Sequence, residues 1–178
     1  MEVVIAQILV TTTSVTAGAL LALLIDRGKS RRTEKAAEIN ALRLLSLEVA
    51  SRRALAPEQL AGPVSLDRAD PDSDLNRVRR SVVLLRKDVR TARQSLRPRS
   101  AAWGTLNAMV AACNVFLEAV DEHPSALVTE LEALRMQLDT LQRELCLSHP
   151  RDLVYLPAGS AAYAARRSSR PVSASSRD

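Results

Sequence analysis

The sequence is poor in the residues that usually build active sites and disulfide scaffolds. Among 178 residues there are two cysteines and two histidines. Cys113 and Cys146 form no CxxC pair, and His123 and His149 are too few and too far apart for a convincing metal site. No glycine-rich phosphate loop, HExxH motif or GxSxG motif occurs. These absences favour a protein without a catalytic site, a cofactor or a small-molecule substrate.

Aromatic residues and lysines are also scarce. Trp, Tyr and Phe together contribute four residues, and only three of the 25 basic residues are lysines. Few aromatics beside many Leu, Ala, Glu and Arg are typical of helices packed on helices. The preference for Arg and Ala is typical of GC-rich genomes and favours a bacterial source. The composition therefore predicts an all-α fold, with enough chain for one ordinary core and additional segments.

Charge is absent from residues 3–25. As an α-helix this run would be roughly 35 Å long at ~1.5 Å per residue, which is enough to cross a hydrocarbon core of ~30 Å. A cleaved signal peptide is disfavoured because the residues before the run include an acid and no base. We therefore predict a single transmembrane helix over residues 1–26, with a buried helix of a soluble protein as the alternative.

A cluster of positive charge follows this run. It consists of Arg27, Lys29, Arg31, Arg32 and Lys35. Because positive charge stays on the cytoplasmic side, the cluster predicts an N-terminus outside the plasma membrane and a cytoplasmic C-terminus. The same bases suit anionic lipid headgroups, although topology alone would explain them. Within the run, Ser14, Gly18 and Ala22 form a ladder of small residues through which two membrane helices could associate.

The next two segments are predicted from helix signals and breakers. Residues 27–56 are interpreted as a basic juxtamembrane segment and stalk helix, with Thr33 as a cap and Pro57 as the terminator. Residues 57–73 are rich in proline and acidic residues and predict a loop. This loop is long for a bundle connection, so it either spans the end of the bundle or is mobile.

Three further stretches, all within residues 74–148, repeat apolar residues at alternating three- and four-residue spacing. This is the seam of helices that pack side by side. The first seam is Leu75, Val78, Val82, Leu85, Val89, Ala92 and Leu96; the second is Leu106, Met109, Cys113, Phe116 and Val120; the third is Leu127, Leu131, Leu134, Leu138, Leu141 and Leu145. Ser73 or Asp74, Ser100 and Ser125 are the expected caps. The pattern predicts an antiparallel helical bundle or coiled coil of three to four helices.

The charges of this bundle are unevenly distributed. Residues 75–99 carry nine bases and one acid, whereas residues 101–148 carry two bases and seven acids. Seam-flanking charges that could pair are Arg79, Arg86 and Arg93 on the first helix and Glu130 and Glu144 on the third. They would meet if those two helices ran parallel as neighbours. The same match could form between two chains.

Helical periodicity stops after His149. Residues 149–178 are rich in Ser, Ala, Arg and Pro and predict a disordered C-terminal tail. Its apolar patch LVYLP, residues 153–157, could dock on the bundle or bind a partner as a short motif. Docking on the bundle, or no role at all, is preferred.

These features lead to an expected function. We expect a single-pass, membrane-anchored interaction or scaffold protein, without catalysis, that contacts the lipid bilayer and a protein partner or a second copy. A membrane-tethered nucleic-acid-binding protein that uses the basic helix 74–97 is the alternative. It is disfavoured because acidic neighbours could neutralise that helix and no aromatic residue interleaves with its arginines. A small membrane-active protein is disfavoured by the single span and the large polar remainder.

Overall fold

A computed structural model describes residues 29–56 and 63–161 of the chain. These residues form four α-helices and no strand: α1 (29–51), α2 (Asp74–Gln94), α3 (Ala102–Glu122) and α4 (Leu127–Ser148). Short 3₁₀ turns occur at Arg53–Leu55 and Pro124–Ala126. The prediction of an all-α fold is confirmed for this part of the chain. The predicted transmembrane helix, residues 1–26, lies outside it.

The predicted cap Ser73 is present in the structure, and Ser100 makes a related contact. The Ser73 hydroxyl accepts a hydrogen bond from the backbone N–H of Asn76 at 3.3 Å, which satisfies one of the free donors at the start of α2. The Ser100 hydroxyl accepts from the backbone N–H of Ala102 at 3.2 Å. The residue that directly precedes α3 is Ala101, so Ser100 contacts the first turn from one position before the cap.

Two other predicted caps are wrong. Thr33 lies inside α1, where its hydroxyl donates to the carbonyl of Ser30 at 2.8 Å instead of accepting from the backbone. Ser125 lies within a 3₁₀ turn, so Ala126 is the residue that precedes α4. In each case the chain is already helical at or before the predicted cap.

The helix α1 ends earlier than Pro57 because of a tertiary contact. Arg52 leaves the helical region with ψ at 110°. Its guanidinium donates to the carbonyl of Ser81 at 2.9 Å and pairs with Asp88, both on α2. The break in α1 therefore anchors the chain to the middle of α2.

The described chain divides between two compact units at residue 38. Residues 29–37 belong to the first unit, are helical and are all exposed. Within them the Ser30 hydroxyl donates to the Glu34 carboxylate at 3.1 Å. The described residues from Glu38 onward belong to the second unit, which contains the core.

In the second unit each helix runs antiparallel to its neighbours. Glu38 near the start of α1 pairs with Arg97 just beyond the end of α2, whereas Arg52 beyond the end of α1 reaches the middle of α2. Short turns connect α2 to α3 and α3 to α4. The helix α4 returns to α1, where the Gln142 amide donates to the Ser46 carbonyl at 3.5 Å. Consequently α2 and α4 lie diagonally across the core.

The core is made of the residues that the spacing predicts. Every residue of the three seams is buried, and α1 adds Leu42, Leu45 and Val49. Transfer of one leucine side chain from water to such an interior stabilises the fold by ~1.5–3 kcal/mol. The seams therefore supply much of the favourable free energy of folding.

The prediction of a disordered tail is wrong for residues 149–161. We name residues 149–160 the C-terminal strap because they pack along the bundle, with Leu153 and Ala158 buried. Backbone groups tie the strap to α1: the Asp152 carbonyl accepts from Arg43 at 2.8 Å, and the Gly159 N–H donates to the Val49 carbonyl at 3.1 Å.

Side chains tie the strap to α4 as well. The Tyr155 hydroxyl donates to Asp139 at 2.6 Å, and the Arg143 guanidinium carbon lies 4.9 Å from the centre of the Tyr155 ring. The segment LVYLP therefore docks on its own bundle. Its composition does not reveal this, because the residues that hold it lie on other parts of the chain. Residues 162–178 of the predicted tail lie outside the described residues.

Candidate functional site: the basic face of α2

The predicted membrane and topology residues fall only partly within the described chain. Ser14, Gly18, Ala22 and Arg27 lie outside the described residues. The remaining residues of the basic cluster, Lys29, Arg31, Arg32 and Lys35, are exposed on the helical segment 29–37. Membrane packing and topology thus stay predictions.

Among the described residues, α3 is long and apolar enough to cross a membrane by length and composition. The core helix of a soluble protein meets the same criteria. The seam of α3, from Leu106 to Val120, is buried against the other helices, as in such a core helix. This helix therefore gives only weak support to a membrane location, and it is not the N-terminal segment for which a span is predicted.

Three arginines of α2, which we call the arginine ladder, reach across to α3. The contacts are Arg79 to Asp121 at 2.5 Å, Arg86 to Asn114 at 2.8 Å, and Arg93 to Asn107 at 3.0 Å. From one contact to the next, the residue numbers rise along α2 and fall along α3, as they do in an antiparallel pair of helices. Each arginine lies one position after a buried seam residue, so its long side chain can extend along the helix interface.

The predicted partners of this ladder, Glu130 and Glu144, are not the ones in the structure. Both lie on α4, which faces α2 only diagonally because α1 occupies the fourth corner of the bundle. The sequence contains a signal for the correct partners: polar residues recur every seven positions on α3, at Asn107, Asn114 and Asp121. The two amides among them carry no charge and so escape a search for ion pairs.

A charge exchange tests this corrected pairing. Changing Arg79→Glu places two carboxylates together and should destabilise the bundle, by about 0.2–1 kcal/mol because the pair is half-exposed. A second change, Asp121→Arg, should restore the loss, whereas Glu130→Arg should not. The measurement is urea unfolding of the full chain in detergent, followed by fluorescence of Trp103, the single tryptophan. Rescue by Glu130→Arg instead would contradict the ladder.

Even with the ladder in place, most of the positive charge of α2 is not balanced by carboxylates among the described residues. Of the nine bases in residues 75–99, only Arg79 and Arg97 contact a carboxylate within the described residues. Two more, Arg86 and Arg93, contact neutral amides. The acid of the same segment, Asp88, pairs with Arg52 of the preceding segment. Within the described residues, carboxylates therefore neutralise little of the positive charge of α2, although the sequence predicts that acidic neighbours neutralise it.

The surface of α2 that points away from the core combines positive charge with an apolar pair. We define the basic face as the exposed residues Arg77, Arg80, Val83, Leu84, Lys87 and Arg90. Helical periodicity places Arg80 and Lys87 one turn before and after the pair Val83–Leu84. The two apolar residues are 41% and 47% exposed, although leucine and valine elsewhere on α2 are buried.

A cleft adjoins the basic face at the start of α2. It has a volume of about 450 Å³, and the residues that line it include Arg68, Arg79, Arg80 and Val83. The Nε of Arg79 is buried and has no hydrogen-bond partner within the described part of the chain. Such a lining suits a phosphate or carboxylate because guanidinium groups bind these anions through paired hydrogen bonds.

A second cleft, of about 350 Å³, lies between the end of α1 and the start of α2. It is lined by Arg52, Arg53 and Arg77, but also by Glu48 and Asp74. Arg52 already bonds Ser81 and Asp88. Because these cations are balanced by nearby acids, this cleft is a weaker candidate for an anion than the cleft at Val83.

A carboxylate is buried at the other end of the α1–α2 interface. Glu38 is 1% exposed and pairs with Arg97, whose carbonyl accepts from the Trp103 indole at 2.9 Å. Burial by itself raises the pKa of Glu38, but interactions with Ser100, Arg97 and His149 outweigh it and hold the pKa below 4.5. The group is therefore a charged structural link between α1 and the segment after α2.

This link predicts a pH dependence. Because the folded pKa of Glu38 is depressed, its contribution is present above the unfolded pKa of about 4.5 and is lost as pH falls through the folded value. Glu38→Gln should therefore lower the free energy of unfolding at pH 7, and the difference from the parent protein should shrink below pH 4.5. Unfolding curves at several pH values measure this; a difference independent of pH would contradict the assignment.

The thiols of Cys113 and Cys146 do not have the lowered pKa that favours a nucleophilic cysteine. Burial raises the pKa of Cys113 to about 11 and also raises that of Cys146, so the reactive thiolate is scarce at neutral pH. No group of His, Cys, Asp or Glu within residues 29–56 and 63–161 is arranged to hold a metal ion.

The chain was compared with protein families, curated proteins and solved structures. No family model, curated protein or solved structure matches the chain.

Proposed function

We propose that this protein is a membrane-anchored helical interaction module without catalytic activity. Residues 1–26 would hold it in the plasma membrane with the N-terminus outside, and the bundle would present its basic face to an acidic partner at the inner surface. The observation that carries the proposal is the surplus of positive charge on α2, which the described residues leave mostly unpaired. Opposite charge on a partner would favour both encounter and orientation.

The way the bundle is built supports an interaction role. The three seams and the buried apolar residues of α1 face one core, so the outward surface of α2 is not needed for folding. The arginine ladder and the link between Arg52 and Asp88 hold α2 on both sides. A surface on such a rigid element loses little conformational entropy on binding.

Site-specific crosslinking in native membranes tests the proposal. A photoreactive residue at Leu84 reports on the basic face, and one at Val115, which is 61% exposed on α3, is the matched control. We expect the full chain to sediment with carbonate-washed membranes and to form crosslinked products from position 84 only. A chain that is freely soluble after lysis would disprove the anchor, and equal products from both positions would disprove the interaction surface.

Nucleic-acid binding through α2 remains a second candidate function. The same surplus of unpaired bases supports it, because phosphates are the commonest dense anions for such a helix. A gel-shift assay of the detergent-solubilised chain with DNA or RNA tests it. The exposed residues Arg77, Arg80 and Lys87 are the ones to change to glutamine, because the ladder arginines are directed toward α3.

A further inference from the structure

We infer that the basic face of α2 docks on the surface of an anionic lipid bilayer. This inference rests on the proposed function in one respect only, since the predicted anchor keeps the bundle near a membrane. The inference itself is drawn from described residues: four exposed bases surround the exposed apolar pair Val83–Leu84.

The spacing of these groups matches a membrane interface. The face runs from Arg77 to Arg90, or roughly 20 Å at ~1.5 Å per residue. Helices that lie on membranes combine bases, which meet the headgroups, with apolar side chains, which enter the boundary between headgroups and acyl chains. Here Val83 and Leu84 occupy the centre, while Arg80 and Lys87 are placed one turn to either side of them.

The neighbouring cleft adds a place for one headgroup. Arg68, Arg79 and Arg80 line it, and Val83 joins it to the apolar centre of the face. Three arginines contribute to this lining, and guanidinium groups bind phosphate through paired hydrogen bonds. The cleft and the face therefore suit one ligand that has an anionic head and an apolar body.

A bilayer fits this surface better than a nucleic acid does. The phosphates of a nucleic acid would pair with the arginine and lysine side chains of the face, but they would not remove Val83 and Leu84 from water. Single-stranded nucleic acids are usually held by stacking on aromatic side chains. The aromatic residues of the described chain, Trp103, Phe116 and Tyr155, all lie outside α2. An anionic bilayer accounts for both the charge and the apolar pair.

An environment-sensitive dye at position 84 tests the inference in the full chain. The dye is attached to Leu84→Cys in a Cys146→Ser background, where the buried Cys113 is shielded from labelling. The labelled chain is placed in nanodiscs of phosphatidylcholine alone or mixed with phosphatidylglycerol. We expect a blue shift and a several-fold rise in emission with phosphatidylglycerol, reversed by high salt. The same dye on Val115→Cys should not respond, because Val115 lies on α3 and is not part of the basic face.

Charge variants make the test specific. Arg80→Gln with Lys87→Gln should abolish most of the lipid-dependent change. Arg99→Gln with Arg151→Gln removes the same amount of charge from exposed positions outside the face and should leave the change intact. Trp103 fluorescence in each variant confirms that the bundle is folded.

Each remaining outcome decides the question. No response at position 84, or equal responses at 84 and 115, overturns the docking. A response to added duplex DNA or RNA without a response to phosphatidylglycerol assigns the face to nucleic acid and also overturns it. If the chain fails to enter nanodiscs, the proposed anchor is wrong, yet vesicles of phosphatidylglycerol added to the soluble chain still test docking through the same dye.

Discussion

Replacing Gly159 with alanine should detach the end of the C-terminal strap and lower the free energy of unfolding by about 1–3 kcal/mol. Gly159 has a φ of +75°, a conformation that L-residues with a Cβ rarely adopt. A Cβ there would lie 2.7 Å from the backbone of Leu55 and Ala56. Backbone atoms cannot rotate away as a side chain could, so the strap or the turn after α1 must move.

Gly104 provides a matched control for this change. It lies on the exposed first turn of α3, and a Cβ built on it meets nothing within 4 Å. Gly104→Ala should therefore be neutral or stabilise the protein by up to ~1 kcal/mol, because alanine loses less backbone entropy in a helix. Urea unfolding followed by Trp103 fluorescence measures both variants, and limited proteolysis reports release of the strap. Effects of the same sign at both glycines would contradict the docked strap.

Truncation of Phe116 to alanine should be the most destabilising change, by about 3–5 kcal/mol. Its side chain is 2% exposed and lies on the α3 seam between Cys113 and Val120. Stabilities of whole domains are typically ~5–15 kcal/mol, so a loss of this size is a large share of the total. The adjacent Val115 is 61% exposed, and Val115→Ala should change stability by less than about 0.5 kcal/mol.

The same pair of variants tests what α3 packs against. A core helix buries one face in protein, so the two truncations should differ by several kcal/mol. If α3 instead crossed a bilayer, both side chains would lie in apolar surroundings and the two costs would converge. Equal losses in the unfolding midpoint, with folding confirmed by circular dichroism, would therefore contradict the bundle core.

Among the helical seams, the agreement between pattern and structure has a simple cause. An a/d spacing predicts which side of a helix is buried whatever the partner, because the hydrophobic effect depends on area and not on direction. All seam residues from Leu75 to Leu145 are buried accordingly. The same reasoning succeeded at the Ser73 cap, where a local hydrogen bond decides the outcome.

The arginine ladder shows where such reasoning ends. Arg79, Arg86 and Arg93 are recognisable as a ridge from their spacing, but their partners depend on which helices are neighbours. Without α1 as a fourth member, α4 is a plausible neighbour for α2, and Glu130 is a plausible partner. Surface ion pairs contribute too little free energy to determine helix order, so charge matching could not correct the error.

The strap and the exposure of the basic face depend on tertiary structure for related reasons. Residues 149–160 have the composition of a disordered tail, and tertiary contacts such as Asp139–Tyr155 and the backbone bond of Gly159 to Val49 order them. The seam of α2 places Val83 and Leu84 on the outward side of the helix, but whether another element covers them depends on the packed bundle, which leaves them 41% and 47% exposed. Both features depend on contacts or exposures that exist only in the folded chain.

For this protein, the amino-acid sequence by itself determined the helical class, the three seams, the surplus of positive charge on α2 and the uncharged run at residues 3–25. Those properties are local, since they depend on residue type and on a helical period of ~3.6. Tertiary structure alone decided that α2 and α4 are diagonal, that the ladder meets α3, and that the strap lies along α1 and α4. These outcomes follow from the simultaneous burial of the three seams and the apolar residues of α1 in one core, which no single segment specifies.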